Sequence, residues 1–235
     1  PEFTLLKIDN LKNEIVEVLG NLNDPLVDEK ISLAIYNKND IFSQECELQA
    51  ASFGDEVDVK MYPNRLDLQD LAFCTIDPID AKDFDDAIYF DEQKREIYVA
   101  IADVSEYVSE YSPIDKEAKF RGFSIYFPHK SIPMLPRNLS ENICSLKPDV
   151  PRLAYVFKIS LDESLNVKNE ILNEAIICSK ARFNYDEIDK ILNDEKVPNK
   201  QFNWILSLNK ICEKLREKRL EKGFDFRTKE LRLTL

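Results

Sequence analysis

The ten residues from Asp77 to Asp86 read Asp-Pro-Ile-Asp-Ala-Lys-Asp-Phe-Asp-Asp, with five carboxylates opposed only by Lys82. No packed fold holds that density of like charge for structural reasons alone. Two unit charges about 4 Å apart repel by roughly 1 kcal/mol in water, and by more in a cleft. Such a run must spread into solvent, stay partly protonated or hold a cation. Its flanks argue against the first option. Leu71-Ala72-Phe73-Cys74-Thr75-Ile76 precedes it and Ala87-Ile88-Tyr89-Phe90 follows it, and both segments read as short buried strands. Carboxylates at the ends of buried strands are placed rather than dangling. Hard oxygen donors so placed point to a divalent-metal site.

The rest of the composition narrows the chemistry. A chain of 235 residues makes one large or two small domains, and 44 % apolar residues sustain a core. The sequence has no run of about 18 apolar residues, so no transmembrane helix is expected. The N-terminus alternates apolar and charged residues, unlike a signal peptide. The five cysteines (Cys46, Cys74, Cys144, Cys178, Cys212) are far apart and odd in number. They read as reduced, mostly buried thiols of a cytoplasmic protein. His129 is the only histidine, which argues against a zinc site or an imidazole base and suits a loop residue beside Pro128. Four glycines leave no glycine-rich phosphate loop. A net charge of −12 argues against a polyanion partner for the surface as a whole. A metal site needs negative protein charge, however, and its cations then meet the phosphate.

Periodicity gives a coarse layout. Residues 15–20 read as a strand, and helices are expected from Asp28 to about Tyr36 and from Asp40 to about Ser52. Strands are expected at 73–77, 86–91 and 96–103, the last β-branched and apolar like an interior strand. Ser112-Pro113 opens a helix to Arg121, with Pro at a tolerated position. Ser140 is expected to cap a short helix through Cys144. Residues 153–161 and 167–178 read as two longer strands, and 184–193 as a helix. Pro198 to Lys222 predicts the clearest helix, with Trp204, Ile205, Leu208, Ile211, Cys212 and Leu215 on one face and Gly223 ending it. Leu231 to Leu235 reads as a further strand, and stopping inside a strand suggests a piece of something longer.

The stretch from Thr75 to Ala87 resembles the active-site motif of the RNase II / RNase R (RNB) exoribonucleases. Further matches follow in the family's order: Val99–Val104, Ser124–Pro128, Ile132–Pro136, then Leu139-Ser140 through Ile143–Leu146. The motif's Asp-x-x-Asp-Ala-Lys-Asp-Phe-Asp-Asp form is closer to the RNase R branch. The resemblance implies a mixed α/β (α+β) fold, an RNB core with a curved mixed sheet surrounded by helices. It implies a lead-in segment over residues 1–60 and the N-terminal part of the catalytic domain over 61–235. It further implies processive, Mg²⁺-dependent hydrolysis of single-stranded RNA from the 3′ end to 5′-mononucleotides, with two Mg²⁺ ions. Carried over residue by residue, Asp77, Asp83, Asp85 and Asp86 are the metal ligands. Asp85 also matches the position whose loss abolishes chemistry while RNA binding persists. Asp80 falls where the family varies. Tyr126 matches the aromatic that stacks on the 3′-terminal base, which suits a sequence-tolerant nuclease. Cold-shock domains before residue 1, and a later active-site arginine and OB-type domain after Leu235, belong to the family pattern and not to this sequence, so the chain alone is expected to be inactive.

Each sharp reading has a plainer rival. The aspartates are a solvated acidic loop if no cation binds them, and Tyr126 outside the motif is an ordinary aromatic. Lys119 and Arg121 are phosphate contacts or simply the outer face of a helix. Lys130 and Arg137 border the proposed active-site loops. The basic end of the last helix (Lys214, Arg216, Lys218, Arg219) suits a helix C-terminus. An aspartate-nucleophile phosphatase would want a doubly wound strand and a nearby glycine, and neither is seen. A non-catalytic rival is a protein- or RNA-binding module, for example one docking an RNA helicase.

Overall fold

The computed structural model describes residues 2–226. The strand expected at Leu231–Leu235 lies outside the described residues. In chain order the elements are β1 (Thr4–Asp9), β2 (Glu14–Asn21), α1 (Val27–Ile35), α2 (Gln44–Ser52), β3 (Leu66–Asp67), β4 (Cys74–Asp77), β5 (Asp86–Asp91) and β6 (Glu96–Ala102). They continue with α3 (Pro113–Arg121), β7 (Ile125–Tyr126), β8 (Ser131–Ile132), β9 (Pro151–Leu161), β10 (Val167–Cys178), β11 (Ala181–Asn184), α4 (Tyr185–Asp194) and α5 (Trp204–Leu220). They form two compact units. The first contains residues 2–49 and 110–136, the second 50–109 and 137–226.

The first unit begins with an antiparallel hairpin, β1 against β2. The sequence reading found β2 and missed β1, which is short and partly exposed. The expected second helix starts later than Asp40, at Gln44. Helix α3 begins as the sequence predicts: the Ser112 hydroxyl accepts from the Asp115 amide at 3.2 Å and Pro113 opens the first turn. It ends at Gly122, whose φ of 77° few other residues adopt cheaply. Its last residue, Arg121, is only 4 % exposed. Arg121 donates to Glu117 and to the carbonyl of Ile41, and its guanidinium lies 3.7 Å from the Phe42 ring centroid. It is a core strut, so it is not available for phosphate. Lys119 pairs with Asp115, and Lys130 and His129 both pair with Glu29.

The second unit is built on a mixed seven-stranded sheet in the order β11-β4-β5-β6-β9-β10-β3. β11 runs parallel to β4 and β3 parallel to β10, while the other neighbours are antiparallel. Alternation places Tyr98, Ala100 and Ala102 of β6, Ala154 and Val156 of β9, and Ala175 and Ile177 of β10 in one cluster with Phe73, Phe84 and Leu146. A second cluster packs Phe183, Ile191, Phe202, Trp204, Ile205 and Leu208 of the α4–α5 region on Cys74 and Phe90. Helix α4 carries a capping box, with Asn184 and Glu187 satisfying each other's amides.

Two helix expectations need correction. The long C-terminal helix starts at Trp204, after a separate 3₁₀ turn at Lys200–Phe202. Its apolar face is buried at Trp204, Ile205 and Leu208 but has run into solvent by Cys212. Ser140 is not a cap. It sits inside a single wide (π) turn, Leu139–Ile143, preceded by Asn138, and its hydroxyl is buried without a partner.

Candidate functional site

Strand β4 ends on Asp77 and β5 begins on Asp86. The acidic run is therefore the connection between two neighbouring sheet strands, as the flanking apolar segments predict. Four backbone or hydroxyl contacts fix the C-terminal half of this loop. The Phe84 side chain is buried. Its amide donates to the Ser145 hydroxyl at 3.0 Å and its carbonyl accepts from the Leu146 amide at 2.9 Å. The Ser145 hydroxyl in turn donates to the Lys82 carbonyl at 3.0 Å. The Asp85 carbonyl accepts from the Ala102 amide at 2.9 Å. Buried Arg152 holds the Ser145 carbonyl from behind at 3.0 Å. The motif's Phe between aspartates is thus an anchor: its ring is buried in the main cluster, while Asp85 and Asp86 are exposed and Asp83 is partly exposed.

The N-terminal half is fixed differently. Arg182 of β11 donates one guanidinium nitrogen to the carbonyls of Pro78 and Ile79, each at 2.7 Å. Its guanidinium also lies 5.1 Å from the Phe84 ring centroid. Sequence reasoning missed Arg182 and Arg152, and the role of Ser145 within the Ile143–Leu146 match, because each lies more than fifty positions from the loop.

The carboxylates feel one another. Burial raises the Asp77 carboxyl above the usual carboxylate range, with Asp86 and Asp85 adding to the shift and the nearby Thr75 hydroxyl and Arg182 opposing it. Asp85 is open on its own surface yet crowded by surrounding protein. That desolvation, together with Asp83 and Asp86, raises it too. One oxygen of Asp77 is buried with no hydrogen-bond partner. A buried carboxylate oxygen left unpaired is costly, and a hard cation is the partner that suits it. No competing donor chemistry is at hand: burial pushes the Cys74 and Cys144 thiols up to about 12, so neither offers a thiolate. The residues present thus fit Mg²⁺ by donor type. Among the described residues, no three acidic, histidine or cysteine side chains stand in ligating geometry, so the site is a row of neighbouring carboxylates rather than a closed cage. Asp80 is exposed and apart from these interactions.

Tyr126 belongs to the other unit. It sits on β7, paired with Ser131 of β8, and is 72 % exposed. Among the described residues, no helix is long and apolar enough to cross a membrane.

Comparison with known proteins adds an independent line. Residues 65–235 match the family described as RNB domain, and residues 1–33 match one described as Ribonuclease R second OB domain. Ribonuclease R of Helicobacter pylori is 43 % identical over 237 residues, covering 100 % of this chain and 36 % of that protein. Ribonuclease R of Mycoplasma genitalium is 43 % identical over 195 residues, covering 80 % of this chain and 26 % of that protein. The solved structure of Mycoplasma genitalium RNase R in complex with ribose methylated single-stranded RNA superposes with a TM-score of 0.77 at 35 % identity, covering 92 % of this chain and 36 % of that one. The chain therefore spans about a third of the length of these relatives. With the acidic motif, the sheet that frames it and the family match in agreement, the chain belongs to the RNB family.

Proposed function

We propose that the protein of which this chain is part degrades single-stranded RNA from the 3′ end, processively and with Mg²⁺, releasing 5′-mononucleotides in the cytoplasm. The observation that carries this is the row Asp77, Asp83, Asp85 and Asp86, set at the junction of two sheet strands in a chain whose relatives are ribonucleases R. Asp77, Asp83, Asp85 and Asp86 would hold the cations, most simply two. Bound there, Mg²⁺ supplies an activated water and stabilises the charge that develops on the phosphodiester and its leaving oxygen.

The chain's own residues do the positioning. Phe84, Ser145 and Ala102 fix the backbone of the loop that carries Asp83, Asp85 and Asp86. The buried oxygen of Asp77 without a hydrogen-bond partner is suited to a cation. Tyr126 offers an exposed ring on which a terminal base can stack without its identity being read. No proton relay through histidine is needed, in keeping with His129 being tied to Glu29.

The test uses the intact protein, a 5′-labelled single-stranded RNA and Mg²⁺. Stepwise shortening from the 3′ end to a very short labelled core is expected, absent with EDTA and absent in Asp85→Asn. RNA bound but never shortened would instead favour a binding module, such as one that docks a helicase.

A further inference from the structure

We propose that Arg182 is a positioning residue for the carboxylate row: it clamps the turn that follows Asp77 and so sets the affinity of the row for its divalent cation. This rests on the Mg²⁺ reading given above. The turn at Pro78–Ala81 has little else to order it. Pro78 lacks an amide proton, and Ile79 is 70 % exposed, so the apolar packing of the turn is at its far end, where Ala81 lies against the main cluster. One internal bond, from the Ala81 amide to the Pro78 carbonyl at 3.0 Å, closes the turn. The two 2.7 Å bonds from Arg182 to the carbonyls of Pro78 and Ile79 are its tie to the sheet.

The placement of Arg182 is itself rigid. It lies on β11, opposite Thr75 of β4, two residues before Asn184, which pairs with Asp77. The strand that carries the first ligand and the strand that carries the clamp are therefore one parallel ladder. The guanidinium plane over Phe84 ties the clamp to the anchor of the loop's other half. One side chain thus bridges both halves of the loop between Asp77 and Asp86. Both carbonyl bonds leave from one guanidinium nitrogen, so a lysine ammonium can imitate them, but it has no planar group to lay against the Phe84 ring at the same time. The Nε of Arg182 is buried without a partner, a cost consistent with the position being set by the loop rather than by the arginine's own best environment. Groups that orient metal ligands from behind typically change metal affinity by about 10–100-fold when removed.

The experiment compares the intact wild-type protein with Arg182→Lys, which keeps the charge, and Arg182→Gln, which removes it. Three quantities are read: the melting temperature against Mg²⁺ concentration, RNA affinity in EDTA, and cleavage against Mg²⁺ concentration. Both variants are expected to need at least about tenfold more Mg²⁺ for half of the thermal shift. RNA affinity in EDTA should not move, and cleavage should largely return at saturating Mg²⁺. A lower metal-free melting temperature with an unchanged Mg²⁺ midpoint would mean a staple between strands and would overturn the proposal. So would a tighter midpoint in Arg182→Gln, since the arginine would then act only as a counter-charge. If the wild type itself shows no Mg²⁺ shift, the metal reading fails and this proposal falls with it. A wild-type shift with unchanged variants refutes this proposal alone. Should both arginine variants fail to fold, Phe84→Leu, which removes the ring but keeps the guanidinium, decides by the same Mg²⁺ midpoint.

Discussion

Replacing Asp85 by Asn removes one charge from a row that the fold holds together against its own repulsion. The Asp85 carboxyl is raised by desolvation and by Asp83 and Asp86. An acid whose folded pKa is raised contributes most below its unfolded pKa, and that contribution is lost as pH rises through the folded value. At neutral pH the ionised row is therefore a net strain, and Asn relieves part of it. Asp85 is exposed on its own surface but crowded by surrounding protein, so water-like screening gives the lower bound. Taking about 4–6 Å as an ordinary spacing of neighbouring carboxylates, each like charge is worth roughly 0.7–1 kcal/mol, and two about 1–2 kcal/mol. For a unit of this size, 1 kcal/mol corresponds to about 2–4 °C. The metal-free melting temperature of Asp85→Asn at pH 7 should thus rise by about 2–8 °C. The gain should shrink toward zero near pH 3, where the wild-type carboxyls are protonated. Mg²⁺ should stabilise the wild type and do much less for the variant, while cleavage is lost and RNA affinity stays. Calorimetry in EDTA and in Mg²⁺, at both pH values, separates these outcomes. A variant that melts at or below the wild-type temperature in EDTA at pH 7 would refute the idea that the row is electrostatically strained.

Three further outcomes follow from contacts elsewhere. Burial would raise the Glu96 carboxyl, but Lys158 at 2.9 Å and the Tyr98 hydroxyl at 2.9 Å hold it below its usual value. Lys158→Met should cost about 1 kcal/mol at pH 7, and the cost should fade in denaturation curves as pH drops below about 4, where Glu96 protonates in both proteins. Tyr126→Ala should weaken single-stranded RNA binding by about 1–3 kcal/mol while the melting temperature barely moves, because the ring is exposed; an equal loss of both would place Tyr126 in the structure rather than at the RNA. Phe84→Ala should cost about 3–5 kcal/mol in chemical denaturation, since Phe84 is a buried member of the main cluster, whereas Asp80→Asn in the same loop should change neither stability nor cleavage.

What the sequence revealed and what it hid divide along one physical line. Strands β4, β5, β6, β9 and β10 were legible because each carries its own period or apolar run, and α3 because Ser112, Pro113 and Gly122 mark both ends within eleven residues. The aspartates were legible because charge density is a local property. Helix α5 was started too early because the separate turn at Lys200–Phe202 carries no break signal, and its buried face was overextended because the apolar spacing continues past Leu208 into exposed Cys212. Arg121 illustrates the opposite failure: a charged residue at a helix end reads as solvent-facing, yet Phe42, Glu117 and the Ile41 carbonyl enclose it. The supports of the carboxylate row were hidden for the same reason. Ser145 reaches back 63 residues to Lys82 and Arg182 reaches back 104 to Pro78. Charges that repel cannot define their own geometry, so whatever fixes it must come from distant parts of the chain. In this protein the chemistry is written in ten consecutive residues, but the geometry that would let them act is written in residues that no window around them contains.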